Sequence, residues 1–218
     1  MYKALLFDLD GVIVDTAVYH YKAWRKLAND KLGFDISEEF NENLKGISRG
    51  ESLERILIEG QVEISIQKKE EFMVLKNQWY LDFIAEMSPK DILPGIDSFI
   101  LEVKKTDLKL GLGSVSKNAK FILEKTNLIQ YFDIIIDGNK ISKGKPDPEV
   151  FLKGAEECGC SPTKCIVFED AIAGVKAGKN AGMKVVGLGD ASILTEADVV
   201  YPTLERIKLQ DLLNQLAN

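Results

Sequence analysis

The chain has 218 residues, 45% of them hydrophobic and 28% charged, with a formal net charge of −6. That is room for one large globular domain, or for a domain carrying an insertion. The acidic balance argues against a nucleic-acid partner or an anionic membrane surface, and no apolar run approaches the roughly 20 residues that span a bilayer.

Residues 3–7 read as a short strand, apolar throughout, as strands covered on both faces of a parallel sheet are. The run stops at Asp8-Leu9-Asp10, so it is not the apolar segment of a signal peptide. A cytoplasmic monomer is expected. Helical patterns follow at 18–31, 37–44, 51–59 and 66–86, with no convincing strand among them. The stretch SPKDILPG, 88–95, carries two prolines and a glycine and reads as a linker. Beyond it, apolar strands at 108–112, 134–136, 165–168 and 184–187 alternate with helices at 95–105, 118–127, 148–158 and 173–181. Strand alternating with helix predicts parallel βαβ units and an α/β, doubly wound sheet. The core is then expected to comprise 1–15 and 88–218, with 16–87 as an inserted helical cap.

Cys158, Cys160 and Cys165 form an odd, clustered set. A zinc site lacks a fourth thiolate or nearby histidine, so small buried thiols in a reducing compartment are the expected reading. The single histidine is His20.

Four strand ends carry polar residues, and in open α/β sheets ligands bind at the carboxyl ends of the strands. Asp8 and Asp10 stand two apart, so in extended backbone both carboxylates face one spot. One can serve as nucleophile and the other as proton donor and acceptor. A calcium loop does not fit, because Val12 and Tyr19 fall where later ligands belong. In GLGSVSKN, Ser114, Ser116, Lys117 and Asn118 lead into a helix; alone they read equally as a phosphate site or a plain helix cap. In KGKPDPEVF, Lys145 is constrained by Pro146 and can hold a point charge near phosphate, whereas Lys143 reads as solvated. Glu169 and Asp170 close the fourth strand; an oxygen-rich cluster suits Mg²⁺, and Asp170 could also cap the next helix.

In this order, DLDG, a serine at the second strand end, KPDP and ED with a glycine-rich helix resemble the haloacid dehalogenase superfamily of aspartyl phosphotransferases along the whole chain. The helical cap resembles that superfamily too. The stretches DTAVYHYKAW, LKGISRGESL and SVSKN are similar to its β-phosphoglucomutase family, although Val115 stands where a smaller residue is expected. That family interconverts β-glucose 1-phosphate and glucose 6-phosphate through a bisphosphate intermediate.

The resemblance implies Asp8 as nucleophile and Asp10 as acid and base. It implies Mg²⁺ held by Asp8, Asp170 and the Asp10 backbone carbonyl, with Glu169 in support. Ser114 and Lys145 would bind the transferring phosphoryl; Arg49, Ser116, Lys117 and Asn118 would hold the other phosphate. Thr16, Trp24, Lys45, Gly46, Ser52 and Lys76 are the implied substrate contacts, and His20 would couple cap closure to the acid–base group. On residues alone, Arg49 reads as readily as a surface arginine, and Trp24 and His20 as structural. A sugar-phosphate phosphatase of the same superfamily would share the aspartates; Lys45, Arg49, Lys117 and His20 favour the mutase.

Overall fold

The structure is a computed structural model that describes residues 1–44 and 47–217. Strand β1 (Ala4–Phe7) is wholly buried and sits between β2 (Lys109–Gly113) and β4 (Cys165–Glu169). Outside these lie β3 (Ile134–Ile136) on one side, then β5 (Lys184–Leu188) and β6 (Val199–Tyr201) on the other. The order is β3-β2-β1-β4-β5-β6 and every pairing is parallel. The chain's walk across the sheet reverses at β1, which opens the ligand crevice above β1 and its neighbours.

Period-two alternation divides the apolar strand residues between two layers. Leu5 and Phe7 join Leu110, Leu112, Ile166 and Phe168 under α5 (Ile96–Val103), α6 (Ala119–Lys125) and α9 (Leu209–Ala217). Ala4 and Leu6 face Ile136, Val167 and Val185 under α7 (Glu149–Glu157) and α8 (Ile172–Asn180). Phe7 stacks on Phe168 at 4.2 Å, with Phe99 edge-on to both. Gly111 admits the Leu6 side chain, which a Cβ there would meet at 2.6 Å.

All five expected strands and the expected helices are present, with ends shifted by a few residues. The structure adds β6 and α9. Strand β6 is three half-buried residues at a sheet edge, a pattern too short for periodicity to register.

Between β1 and β2 the chain forms helices α1 (Ala17–Leu27), α2 (Glu38–Glu42), α3 (Arg49–Glu59) and α4 (Ile66–Ile84). Helix α1 runs on into a π-helical turn, Ala28–Leu32, which ends at Gly33 with φ 82°. Serines start the other three: the hydroxyls of Ser37, Ser48 and Ser65 accept from the backbone N–H of Phe40, Glu51 and Lys68. Each such cap contributes about 1 kcal/mol. The insert has its own apolar cluster around Trp24, Leu27, Leu53, Ile56 and Phe72. Its exit is the SPKD segment, where Ser88 and Asp91 form a reciprocal capping box. No helix among the described residues is long and apolar enough to cross a membrane.

Candidate active site

The ends of β1 and β4 bring the acidic residues together. The Asp8 N–H donates to the Phe168 carbonyl at 3.0 Å, carrying the ladder one residue past β1. Gly11 then turns the chain with φ +83°. Its hydrogen is the reason Asp170 can approach: a Cβ on Gly11 would lie 1.9 Å from Asp170 Oδ2. Gly174 makes the same room for Glu169, whose Oε1 would be 1.7 Å from a Cβ there. The glycines of DLDG and of the following helix therefore seat the carboxylates.

Lys145 reaches into this cluster from the loop before α7, where the Lys145–Pro146 peptide is cis. Its Nζ donates to Asp8 Oδ1 at 2.5 Å and to Glu169 Oε1 at 2.6 Å, and the side chain is fully buried. Burial alone would push its pKa down; the charges of Asp8 and Glu169 outweigh it and hold the ammonium protonated. Glu169 Oε2 also accepts from the N–H groups of Asp170 and Ala171. Ala171, not Asp170, occupies the N-cap of α8, so the capping role offered for Asp170 is not the one it plays. Lys143, two residues before Lys145, is exposed as expected.

Carboxylate oxygens of Asp8, Glu169 and Asp170 lie within 4.8 Å of one another, the one such group among the described residues. Hard oxygen donors crowded onto a glycine-lined floor fit Mg²⁺. Of the cysteines expected to be buried, only Cys165, at the opposite end of β4, is; Cys158 and Cys160 are half-buried, with Cys160 Sγ 3.4 Å from the Cys165 sulfur.

Asp10 sits apart from this pairing and is half-buried. Its Oδ1 accepts from the Thr16 hydroxyl. Burial first, and the Asp8 charge second, push its pKa up to about 7, while the Thr16 bond works against them. A carboxyl poised there can both give and take a proton near neutrality. Thr16, expected as a substrate contact, is completely buried, with its hydroxyl turned to Asp10.

The insert supplies a different environment. Lys76 on α4 is almost completely buried, with its Nζ 2.7 Å from His20 Nδ1. The ammonium lies 4.7 Å from the centre of the Trp24 ring and 4.8 Å from that of Tyr80, and Tyr80 stacks on His20. Burial and the Arg49 charge drive the Lys76 pKa well below its usual value. Burial and Lys76 likewise keep His20 neutral, with Nδ1 as the acceptor. Thr16, rather than His20, makes the direct contact with Asp10; His20 follows one helical turn on, its N–H bonded to the Thr16 carbonyl at 3.0 Å.

Arg49 opens α3, and its Nη2 donates to Asn77 Oδ1 at 2.7 Å. Asn118 Nδ2, from the sheet side, donates to that same oxygen at 2.7 Å. Ser114 is buried and its hydroxyl accepts from the Ser116 N–H; the Ser116 hydroxyl in turn accepts from the Asn118 N–H. The Ser52 hydroxyl is engaged by the Ser48 carbonyl. A cleft of about 1380 Å³ separates insert from sheet. Asp8, Asp10, His20, Trp24, Arg49, Ser52, Lys76, Ser116, Lys117 and Asp170 line it; Thr16, Ser114, Lys145 and Glu169 are buried behind its wall, and Asn118 is half-buried next to Lys117. Lys45 and Gly46 lie outside the described residues.

Parallel sheet, inserted helices and paired aspartates just past the end of β1 are the layout of a class of phosphotransferases, and comparison with known proteins gives the chain a family. Residues 5–188 match the haloacid dehalogenase-like hydrolases, and the chain belongs to that family. It is 44% identical to the β-phosphoglucomutase of Bacillus subtilis (strain 168), over 95% of this chain and 92% of that one. The crystal structure of β-phosphoglucomutase from Clostridium difficile matches 100% of this chain and 98% of its own, with a TM-score of 0.96 and 44% identity. A phosphorylated carbohydrates phosphatase of Thermotoga maritima is 29% identical over 98% of both chains.

Asn77 and Tyr80 were not read from the sequence. Tyr80 was within reach, since it stands one turn after Lys76 on the same helix face. Asn77 offers no signal of its own; only the fold brings Asn118 to it.

Proposed function

We propose that this protein is a β-phosphoglucomutase, interconverting β-D-glucose 1-phosphate and D-glucose 6-phosphate through β-glucose 1,6-bisphosphate. The observation that carries the reading is the division of the cleft. Its floor holds Asp8 and Asp10, and its facing side holds Arg49 and Lys76, cations that no carboxylate pairs among the described residues. Such a cleft suits a substrate with phosphate at both ends, one at the nucleophile and one under the insert. We take residues 16–87 as the cap and 1–15 with 88–218 as the core.

In this reading an Asp8 oxygen attacks the phosphorus of the bisphosphate, forming an aspartyl phosphate as the bond to the sugar oxygen breaks. Asp10 gives its proton to the departing sugar oxygen. In the reverse sense it takes the proton from the sugar hydroxyl that attacks the aspartyl phosphate. Lys145 offsets charge on the transferring group. Thr16 keeps the Asp10 carboxyl in place between steps. Bound Mg²⁺, held by Asp8, Asp170 and the Asp10 carbonyl with support from Glu169, would supply further positive charge to the phosphoryl oxygens. Closure of the insert over sugar phosphate keeps water from the aspartyl phosphate. Arg49, Ser116, Lys117 and Asn118 hold the phosphate that stays. We place the reaction in the cytoplasm, on a monomer.

The test is ³¹P NMR of β-glucose 1-phosphate incubated with protein, Mg²⁺ and trace bisphosphate. Glucose 6-phosphate should accumulate, and excess chelator should stop it until Mg²⁺ is restored. Release of inorganic phosphate in its place would make the protein a sugar-phosphate phosphatase.

A further inference from the structure

Asn77 places one oxygen where donors from two parts of the chain meet. Arg49 Nη2 and Asn118 Nδ2 each lie 2.7 Å from Asn77 Oδ1, from positions 28 and 41 residues away in sequence. Chemistry fixes the orientation of both amides. A guanidinium has only donors, so the Asn77 atom that faces it is the oxygen. The Asn118 atom facing that oxygen is then the nitrogen.

Arg49 and Asn77 belong to the insert, whereas Asn118 leads into α6 beside the sheet. The shared oxygen therefore ties the two across the cleft. Arg49 is partly buried, and that burial lowers its pKa, so a neutral acceptor lessens the cost of holding its charge there. The carbonyl oxygen has a lone pair for each donor. Arg49 keeps four further N–H groups and Asn118 keeps one, so neither bond need break for a phosphate to be received.

We propose that Asn77 is the positioning residue of the clamp for the non-transferring phosphate: it holds Arg49 and Asn118 side by side, aimed at one point, before the sugar phosphate arrives. The inference rests on the reading above, which assigns Arg49 and Asn118 to that phosphate. Neutrality is essential to the role. An aspartate at 77 would accept both hydrogen bonds equally well, yet its charge would neutralise the guanidinium and repel the incoming dianion. A brace with a purely structural role would tolerate that change; a clamp for phosphate would not.

The experiment uses full-length protein in two forms. In the Asp8→Asn background, which cannot turn over, glucose 6-phosphate affinity is measured by calorimetric titration. Asn77→Ala should weaken it about tenfold, the scale of a charged hydrogen-bond partner lost. Asn77→Asp should weaken it further while its melting temperature stays at the parent value. Adding Arg49→Ala to Asn77→Ala should cost less than the two single losses combined, because both act on one clamp. In the active enzyme, Asn77→Ala should raise KM more than it lowers kcat, and should raise the ratio of phosphate release to isomerisation.

Asn77→Asp binding as tightly as its parent, or fully additive losses with Arg49→Ala, would overturn the inference while leaving a mutase that isomerises intact. A wild type that forms no glucose 6-phosphate, with the Asn77 losses still seen by titration, would overturn the mutase and leave the clamp. A parent that binds no sugar phosphate would overturn both.

Discussion

Two buried lysines lie on opposite sides of the same cleft and meet opposite electrostatics. Lys145 lies between two carboxylates, and their charges hold its proton more tightly than in water. Lys76 lies against a neutral imidazole and two aromatic rings, and burial loosens its proton. On the core side the lysine is thus paired with carboxylates before any substrate binds. On the insert side Arg49 and Lys76 are desolvated with no carboxylate paired to them among the described residues. A phosphate arriving there removes that cost, so binding energy becomes available for holding the insert closed. In the proposed reading, the same residue type is a fixed part of the machinery in one place and a reception site in the other.

The comparison breaks most directly at Asp8. Asp8→Asn should abolish isomerisation and aspartyl-phosphate formation, since an amide is no nucleophile for phosphorus. Acid-quenched protein from a ³²P-labelled bisphosphate reaction reads this, and retained labelling would remove Asp8 from the mechanism. Lys145→Met extends the test to stability. It leaves Asp8 and Glu169 buried without their cation, a loss on the order of 3–5 kcal/mol, or roughly 10 °C in melting temperature. Activity should fall with it.

Lys76→Met should part the two properties. A methionine fills similar volume without a charge, so the fold should be as stable as wild type or more so, by about 1 kcal/mol. Lys76 has a folded-state pKa well below its unfolded 10.5. The unfolded chain therefore binds more protons across that interval, and the wild type gains stability as pH rises through it. The advantage of Lys76→Met should then shrink toward pH 10.5. Sugar phosphate should raise the melting temperature of wild type far more than that of the variant. Equal ligand-induced shifts would end the distinction between the two lysines.

Arg49→Ala sharpens the comparison from the phosphate side. It leaves the core carboxylates and Lys145 untouched, so the first chemical step stays possible. A charge-assisted phosphate contact is worth roughly 1.5–3 kcal/mol, so kcat/KM for isomerisation should fall at least about tenfold. The share of turnover lost to water should rise, as parallel assays of glucose 6-phosphate and free phosphate would show. Arg49→Lys should recover only part, lacking the planar fork.

What the sequence could disclose follows the same division. The core is legible because its signals are local: an apolar run ending in DLDG, a lysine before proline, ED after another run. Even the split between buried Lys145 and exposed Lys143 can be read from the proline. The insert is legible as helices, but on residues alone its site is not; only the family resemblance points to His20, Arg49 and Lys76. Lys76 meets His20 from 56 residues away, and Asn77 meets Asn118 only through the fold. The placement of Thr16 is hidden for a related reason: proximity in sequence does not say whether a hydroxyl points to the cleft or back to Asp10. Strand β6 lay beyond reach because three edge residues leave no periodic trace.

The smallest effect is expected at Glu149, behind the paired lysine. Its Oε2 accepts from the N–H groups of Ser142 and Lys143 and from the Ser142 hydroxyl, while its other oxygen meets Lys153 at 2.8 Å. These bonds pin the loop that delivers Lys145 to Asp8, extending the pairing on the core side one layer outward. The Lys153 bond first, and the backbone donors next, pull the Glu149 pKa down to about 2 from its usual 4.5. Between those values the unfolded chain binds more protons than the folded one, so this contribution to stability is full above about pH 4.5 and fades as pH falls toward 2. Glu149→Gln should melt slightly below wild type at neutral pH, and the two curves should converge through that acid window. Isomerisation at pH 7 should be nearly unchanged, because the amide oxygen can still accept from the loop and Lys145 keeps both carboxylates. A gap that stays constant down to pH 2 would mean that the charge of Glu149 contributes nothing, and that packing alone holds the loop.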